Sequence, residues 1–362
     1  MPGPLHELTI VEMAGIGPAP FAGMMLADHG AKVIRVERAG MIGIPNDPLL
    51  RSRRSLSLDL KQESAREIVR RLAKSADGLI EGYRPGVMER LELGPETLLQ
   101  ANPRLVYGRV TGWGQDGPLA EAAGHDINYL AISGLLHGIG PTERPVVPIN
   151  YLADFAGGGM MLAFGMVSAL LAVQRGGAGQ VVDCAMSEGA ALIGALTYGM
   201  RAAGLWKDER EANLLDGGAA TYGVYRCSDG KFVAVGAIEP QFQAALFKGL
   251  ALSPDSTREQ VAAVLASRTR DEWAAHFAGT DACVAPVLDL EESLLHQHNI
   301  ARRTFLDLNG VFQPGPTPRY SRTAPDRPDP PHDQGEDGDA ILAELGYSVG
   351  QISELKEEGV LL

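Results

Sequence analysis

Short β-branched runs alternate with amphipathic stretches up to about residue 110, and the hydrophobic period changes to two after Tyr222; together these predict an α/β protein with a Rossmann-like large domain plus a smaller α+β domain. A chain of 362 residues suits about two domains. In order, residues 8–11 read as a strand and 21–29 as a helix closed by Gly30 just past its end. Residues 32–37 form the next strand, and 64–74 a helix whose basic C-terminal turn suits the helix dipole. Strands follow at 78–81 and 105–111, and 146–152 is β-like. Two long apolar helices, 160–174 and 186–203, flank a strand at 180–183. Residues 222–226, a Ser228-Asp229-Gly230 turn and residues 232–237 make a β-hairpin signal. The proline-rich stretch 314–331 reads as an extended linker, and helices at 339–345 and 349–356 return to the large domain. The expected boundaries are therefore a large domain at 1–185, a helical linker at 186–221, a small domain at 222–310 and a returning tail at 311–362.

Composition narrows the function classes. With 44 Gly, 23 Pro and 21% charged residues, the chain suits a compact enzyme with tight loops, not a fibrous or disordered protein. The net charge of −13 argues against a nucleic-acid partner. The charge is uneven: residues 31–74 hold eleven basic against five acidic side chains. Such a block marks an anion site or a set of helix-face salt bridges, Glu63-Glu67-Arg70-Arg71 among them. Cys184, Cys227 and Cys283 have neither disulfide nor zinc spacing, which points to a reducing compartment and no metal. The first residues lack a basic start and an apolar run, and the chain ends Val360-Leu361-Leu362 rather than on a peroxisomal address, so the expected location is cytoplasmic. The longest apolar run, 160–173, falls short of the roughly 20 residues that span a bilayer and reads as a buried core helix. No membrane partner is expected.

The candidate chemistry lies in a few loops. Gly15-Ile16-Gly17-Pro18 at the first strand-to-helix turn, with Glu37 further on, suggests a dinucleotide fingerprint, but Pro20 stands at the third glycine and Pro18 removes an amide. Arg38 follows Glu37 at the end of the second strand, a place suited to reading a ribose phosphate. Gly124-His125-Asp126-Ile127-Asn128-Tyr129 sets a histidine at a helix start. An imidazole there exchanges protons near neutrality beside first-turn amides such as that of Asp126, although such a histidine serves equally as a cap or surface residue. Asp154, between Ala153 and Phe155, has an apolar setting that raises a carboxyl pKa, or is an N-cap for the buried helix after Gly157-Gly158-Gly159. Glu239 precedes Pro240 at the end of a strand, as a functional carboxylate or a solvated one.

The order of Val11-Glu12-Met13-Ala14-Gly15, Arg54-Ser55-Leu56-Ser57-Leu58-Asp59-Leu60-Lys61, Tyr83-Arg84-Pro85-Gly86, Thr111-Gly112-Trp113-Gly114-Gln115, the Gly124 to Tyr129 motif, Leu152-Ala153-Asp154-Phe155 and Ala237-Ile238-Glu239-Pro240 resembles that of the α-methylacyl-CoA racemases within the family III CoA-transferase superfamily, nearly end to end. The resemblance implies the family III fold, an interlocked homodimer and an acyl-CoA substrate, with no cofactor beyond the CoA that the substrate carries. It implies that His125 and Asp154 are the two acid/base residues and that Glu239 supports the histidine from the partner subunit. It assigns CoA to the large domain: Arg38 at the adenosine phosphate, Leu58, Asp59, Leu60 and Lys61 as an adenine-side strand, Arg84 as a further contact, and Gly124, His125, Asp126, Ile127, Asn128 and Tyr129 at the pantetheine and thioester. The expected reaction is epimerisation of a 2-methylacyl-CoA by proton transfer through an enolate. CoA transfer, with Asp154 as nucleophile, is the other activity in the superfamily; the transferases usually lack the histidine and carry a glycine-rich loop, whereas His125 and Glu239 are present here. Tyr151, where the family usually has an aliphatic residue, and a short segment between Gly249 and Trp273 depart from the pattern.

Overall fold

The computed structural model describes residues 3–38, 40 and 43–362, and the chain divides into two compact units. The first unit contains residues 1–133, 149–193 and 303–362; the second contains 134–148 and 194–302.

In the first unit, β1 (Thr9–Met13), α1 (Pro18–Asp28), β2 (Lys32–Glu37), β3 (Arg53–Ser57), α2 (Glu63–Ser75), β4 (Gly78–Glu81), α3 (Val87–Arg90), α4 (Pro95–Ala101), β5 (Val106–Thr111) and α5 (Asp126–Ser133) lead to a helix whose first part, Tyr151–Met160, is wound as a π-helix and whose second, α6, spans Met161–Gln174. β6 (Gln180–Ala185) and α7 (Met186–Ile193) complete this stretch. The six strands form one parallel sheet in the order β3-β2-β1-β4-β5-β6. Strands buried on both faces need near-continuous apolar sequence, and β4 and β5 are buried at every residue. The order reverses between β1 and β4, so the loops after those strands part and leave a crevice at their carboxyl ends.

β3 carries two arginines into this sheet, which hydrophobic patterning does not anticipate. Arg53 reaches the fully buried Glu12 at 2.9 Å and also donates to the carbonyls of Pro20 and Leu49. Arg51 pairs with Asp28, and Arg35 with Glu37 at 2.6 Å. Gly23 makes room for the Glu12–Arg53 pair, because a Cβ there would overlap both side chains. Eight of the eleven cations between residues 31 and 74 are held in ion pairs, leaving Arg38, Lys61 and Lys74 unpaired among the described residues. The basic block is thus mainly structural. Glu37 likewise accepts from Arg35 and Ser55 and is not available to a ribose.

In the second unit, α8 (Ala195–Ala202) is followed by the antiparallel sheet of β7 (Tyr222–Arg226), β8 (Phe232–Gly236) and β9 (Val284–Pro286), packed with α9 (Pro240–Leu250), α10 (Arg258–Leu265) and α11 (Arg270–Phe277); α12 (Leu290–Leu295) and α13 (Gln297–Arg302) end it. Its core centres on Trp273, 2% exposed, whose indole donates to the carbonyl of Leu265. The chain then returns to the first unit through β10 (Phe305–Leu308), β11 (Val311–Pro314), α14 (Gly338–Glu344) and α15 (Val349–Glu357). Its last residues line the end of β3: Asp59 N donates to Val360 O and Leu362 N to Ser57 O.

Several expectations are corrected. Residues 186–193 pack with the first unit, and the expected helix 186–203 breaks at Gly194, where the second unit resumes. Residues 134–148 leave the large unit because Arg210 donates to the carbonyls of His137, Pro141 and Thr142, and Glu211 accepts from Thr142. The β-like reading of 146–152 gives way to a helix beginning at Tyr151, because apolar runs this short carry no decisive period. The apolar helix is therefore continuous over Tyr151–Gln174, 24 residues, long and apolar enough by length and composition to cross a membrane, with 50% of its most apolar window buried. The expected strand at Leu58 to Lys61 is instead the turn after β3.

Candidate active site

The site is assembled where the loops after β1, β4 and β5 meet the starts of α5 and the π-helical segment, wholly within the first unit. These loops enclose a cavity of about 530 Å³ lined by Gly17, Arg84, Trp113, Gly124, His125, Tyr129, Asn150 and Asp154, among others. Its position at the sheet's switch point follows from the strand order.

His125 sits immediately before α5. Its backbone N–H donates to Asn128 Oδ1 at 3.1 Å, and its carbonyl accepts from the amides of Asn128 and Tyr129. The helix start is thus fixed by backbone and Asn128, and the imidazole is left exposed at the cavity. The amides of Asp126 and Ile127 meet no acceptor among the described residues, so the start of α5 offers N–H donors beside the imidazole. Tyr129 holds the loop from behind: its hydroxyl donates to Gly124 O, and its ring packs edge-on against Trp113 with centroids 4.8 Å apart. A Cβ at Gly112 or Gly124 would collide with that ring.

Asp154 lies in the first turns of the π-helical segment, half-buried. Burial raises its carboxyl above the usual range; the Asn150 amide, donating at 3.2 Å, pulls it down, the Asp126 charge pushes it up, and His125 pulls it down. Gly17, with φ of 70° and ψ of −115°, adopts a backbone open only to glycine, and a Cβ there would stand 3.6 Å from Asp154 Oδ2. The three glycines after Asp154 are no loop. Gly157 abuts the backbone of Gly189 and Ala190, Gly158 the side chains of Met186 and Pro18, and Gly159 the ring of Phe21. They let the segment press between α1 and α7. π-helical turns recur at functional sites, and here the turn carries the carboxylate.

His125, Arg84, Gly124 and Tyr129 therefore share one cavity with Asp154. The other assignments separate from it. Asp126 is 5% exposed and its carboxylate is turned onto backbone, so only its amide remains for a ligand. Ile127 and Asn128 are exposed on α5, with Asn128 engaged at His125 N. Leu58 is fully buried in the core, which excludes its side chain from any cofactor contact; Asp59 accepts from Lys61 N, and Leu60 is half-buried. Arg38 and Lys61 are exposed beyond the ends of β2 and β3. Glu239, in the second unit, is the exposed N-cap residue of α9, and its carboxylate accepts no hydrogen bond among the described residues. Among the described residues no group of three or more His, Cys, Asp or Glu could hold a metal ion.

Asn150 is the residue that sequence reasoning missed. Four positions before Asp154, it is a helical neighbour of the carboxylate, a spacing that carries meaning only once the helix is known to begin at Tyr151. Asn150→Ala removes a donor that favours the ionised carboxylate. In an NMR pH titration of the Asp154 carboxyl, the midpoint is expected to move to higher pH in the variant. An unshifted midpoint would show that the contact does not tune Asp154.

The sequence profile described as CoA-transferase family III matches residues 5–337. The chain belongs to this family. Among family III relatives, α-methylacyl-CoA racemase of Mus musculus is 46% identical over 373 aligned positions, covering 99% of this chain and 97% of that protein. The racemase of Homo sapiens is 45% identical over the same coverage. Of solved structures, a CAIB/BAIF family protein from Brucella suis superposes with a TM-score of 0.82 at 27% identity, over 95% of this chain and all of that one. The family III fold expected from the motifs is thus the fold observed.

Proposed function

We propose that this protein is an isomerase that epimerises 2-methylacyl-CoA thioesters by 1,1-proton transfer through an enolate, with His125 and Asp154 as the acid/base pair. The observation that carries the reading is the convergence of His125 and a carboxyl raised by burial on one cavity, in a chain 45% identical to the human racemase.

A proton α to a thioester is weakly acidic, so its removal needs a base on one face, an acid on the other and donors to the enolate oxygen. His125 or Asp154 takes the α-proton, the electron pair moves onto the thioester oxygen near the free amides of α5, and the other residue returns a proton to the opposite face. The roles exchange with the configuration of the substrate. Asp154 must be protonated in one resting form, and its partial burial favours that form. Arg84 in the cavity, without an ion pair among the described residues, and Arg38 and Lys61 beyond β2 and β3 are the cations we assign to the CoA phosphates.

A second copy of the chain completes the reading. Met160, Phe164, Val167 and Leu171 leave an apolar stripe on the helix Tyr151–Gln174, exposed between 39% and 69%, which a homodimer covers. The half-buried packing of that helix suits a protein interior rather than lipid. Glu239 of the partner copy then supports His125. The unpaired Cys184, Cys227 and Cys283 support a reducing, cytoplasmic setting.

Separate incubation of (R)- and (S)-2-methylacyl-CoA with the protein in D2O, without an acceptor acid, tests the reading by NMR. Deuterium enters the α-position and both epimers converge on one mixture. Absence of exchange, with CoA passing to an added carboxylic acid, would instead make Asp154 a nucleophile and the protein a transferase.

A further inference from the structure

The segment bearing Asp154 begins without a cap of its own: its N-cap residue, Asn150, makes no side-chain cap hydrogen bond. The first N–H groups of any helix lack partners within it, and buried donors left so are costly. Here two of them, those of Ala153 and Asp154, are satisfied from another element. Asp126 Oδ1 accepts from Ala153 N at 2.7 Å and from Asp154 N at 2.8 Å, while Asp126 itself is the first residue of α5, next to His125. One carboxylate oxygen therefore joins the backbone beside one acid/base residue to the backbone amide of the other. Asp126 is 5% exposed, and its Oδ2 is buried with no partner among the described residues, so solvent does not compete for it.

We propose that Asp126 is a positioning residue: its carboxylate clamps the start of the Asp154 segment onto the start of α5 and so fixes the gap between His125 and Asp154. The proposal rests on the two-residue proton-transfer reading above. The gap matters because the α-carbon must present its hydrogen to either residue without shifting, and a misplacement of about 1 Å costs ~100-fold in rate. The same carboxylate faces Asp154 together with Asn150 and His125, and Tyr129 and Arg84 line the cavity beside them; among these, the Asp126 charge favours the protonated form of Asp154. Clamp and charge are separable by substitution. Asp126→Asn keeps an oxygen acceptor in place and removes the charge, whereas Asp126→Glu keeps the charge and displaces the acceptor by a methylene.

The test measures kcat and KM for α-deuterium exchange from each epimer in wild type, Asp126→Asn and Asp126→Glu, together with amide hydrogen exchange at Ala153 and Asp154. Asp126→Glu is expected to lose ~100-fold in kcat for both epimers with KM within about 3-fold, and to exchange the two amides faster. Asp126→Asn is expected to lose less than about 10-fold, to retain the amide protection, and to move the acid limb assigned to Asp154 to lower pH. The proposal is overturned if Asp126→Glu keeps wild-type kcat, or if Asp126→Asn falls as far as Asp126→Glu, or if amide protection is the same in all three. Should wild type fail to exchange α-protons at all, the racemase reading fails, and the amide protection still decides whether Asp126 clamps the segment. Asp126→Asn, nearly isosteric with the native side chain, keeps the test open if Asp126→Glu does not fold.

Discussion

His125→Ala is expected to reduce epimerisation at least ~10³-fold while acyl-CoA affinity stays within about 3-fold. The imidazole is exposed at the cavity, and the start of α5 is held by the backbone of His125 and by Asn128, so truncation removes a proton carrier without loosening the helix. On the proposed mechanism the variant retains one acid/base residue, Asp154. Slow deuterium entry should therefore persist only in the epimer whose α-hydrogen faces Asp154, with retention of configuration. Exchange of both epimers at near the wild-type rate would sink the assignment of His125. NMR of each epimer in D2O, with a parallel CoA-binding titration, separates these outcomes.

Asp154→Asn should give the mirror image. The amide preserves the shape beside Gly17 and Asn150 but cannot carry the proton, and epimerisation falls at least ~10³-fold. Residual exchange is then confined to the opposite epimer from that of His125→Ala. The complementary pair of variants is more demanding than either alone, because one base serving both faces would give the same residual epimer twice. A transferase would behave differently: Asp154→Asn would abolish transfer of CoA to a free acid, and wild type would form a hydroxylamine-sensitive enzyme thioester at Asp154.

Much of the fold was legible in local sequence. The strands Lys32–Glu37 and Gly78–Glu81 carry dense apolar runs bounded by turn residues, and the hairpin at Tyr222–Arg226 is announced by alternation and a Ser-Asp-Gly turn. Gly30, with φ of 99°, ends the turn after α1 as its position suggests. What failed locally failed for a reason. β3 disguises itself because two of its five residues are arginines, made tolerable by Glu12 on β1 and by the C-terminal helix residue Glu344. The start of the Asp154 segment has no cap signal in its own sequence because its cap is Asp126, 27 residues before Ala153.

The candidate site divides in the same way. The sequence alone determined which residue types meet in this protein: a histidine after a glycine at a helix start, an aspartate before three glycines, and the motifs that carry the family. Only the tertiary structure decided what each group is free to do. It bound most of the basic block into ion pairs, those of Arg35, Arg51 and Arg53 buried, buried Leu58 and the Asp126 carboxylate, and left His125, Arg84 and Asp154 on one cavity. Hydrophobic period and turn chemistry are local properties, readable within a few residues. Desolvation, charge pairing and capping in trans depend on which distant strands and helices become neighbours, and the order β3-β2-β1-β4-β5-β6 brings them together.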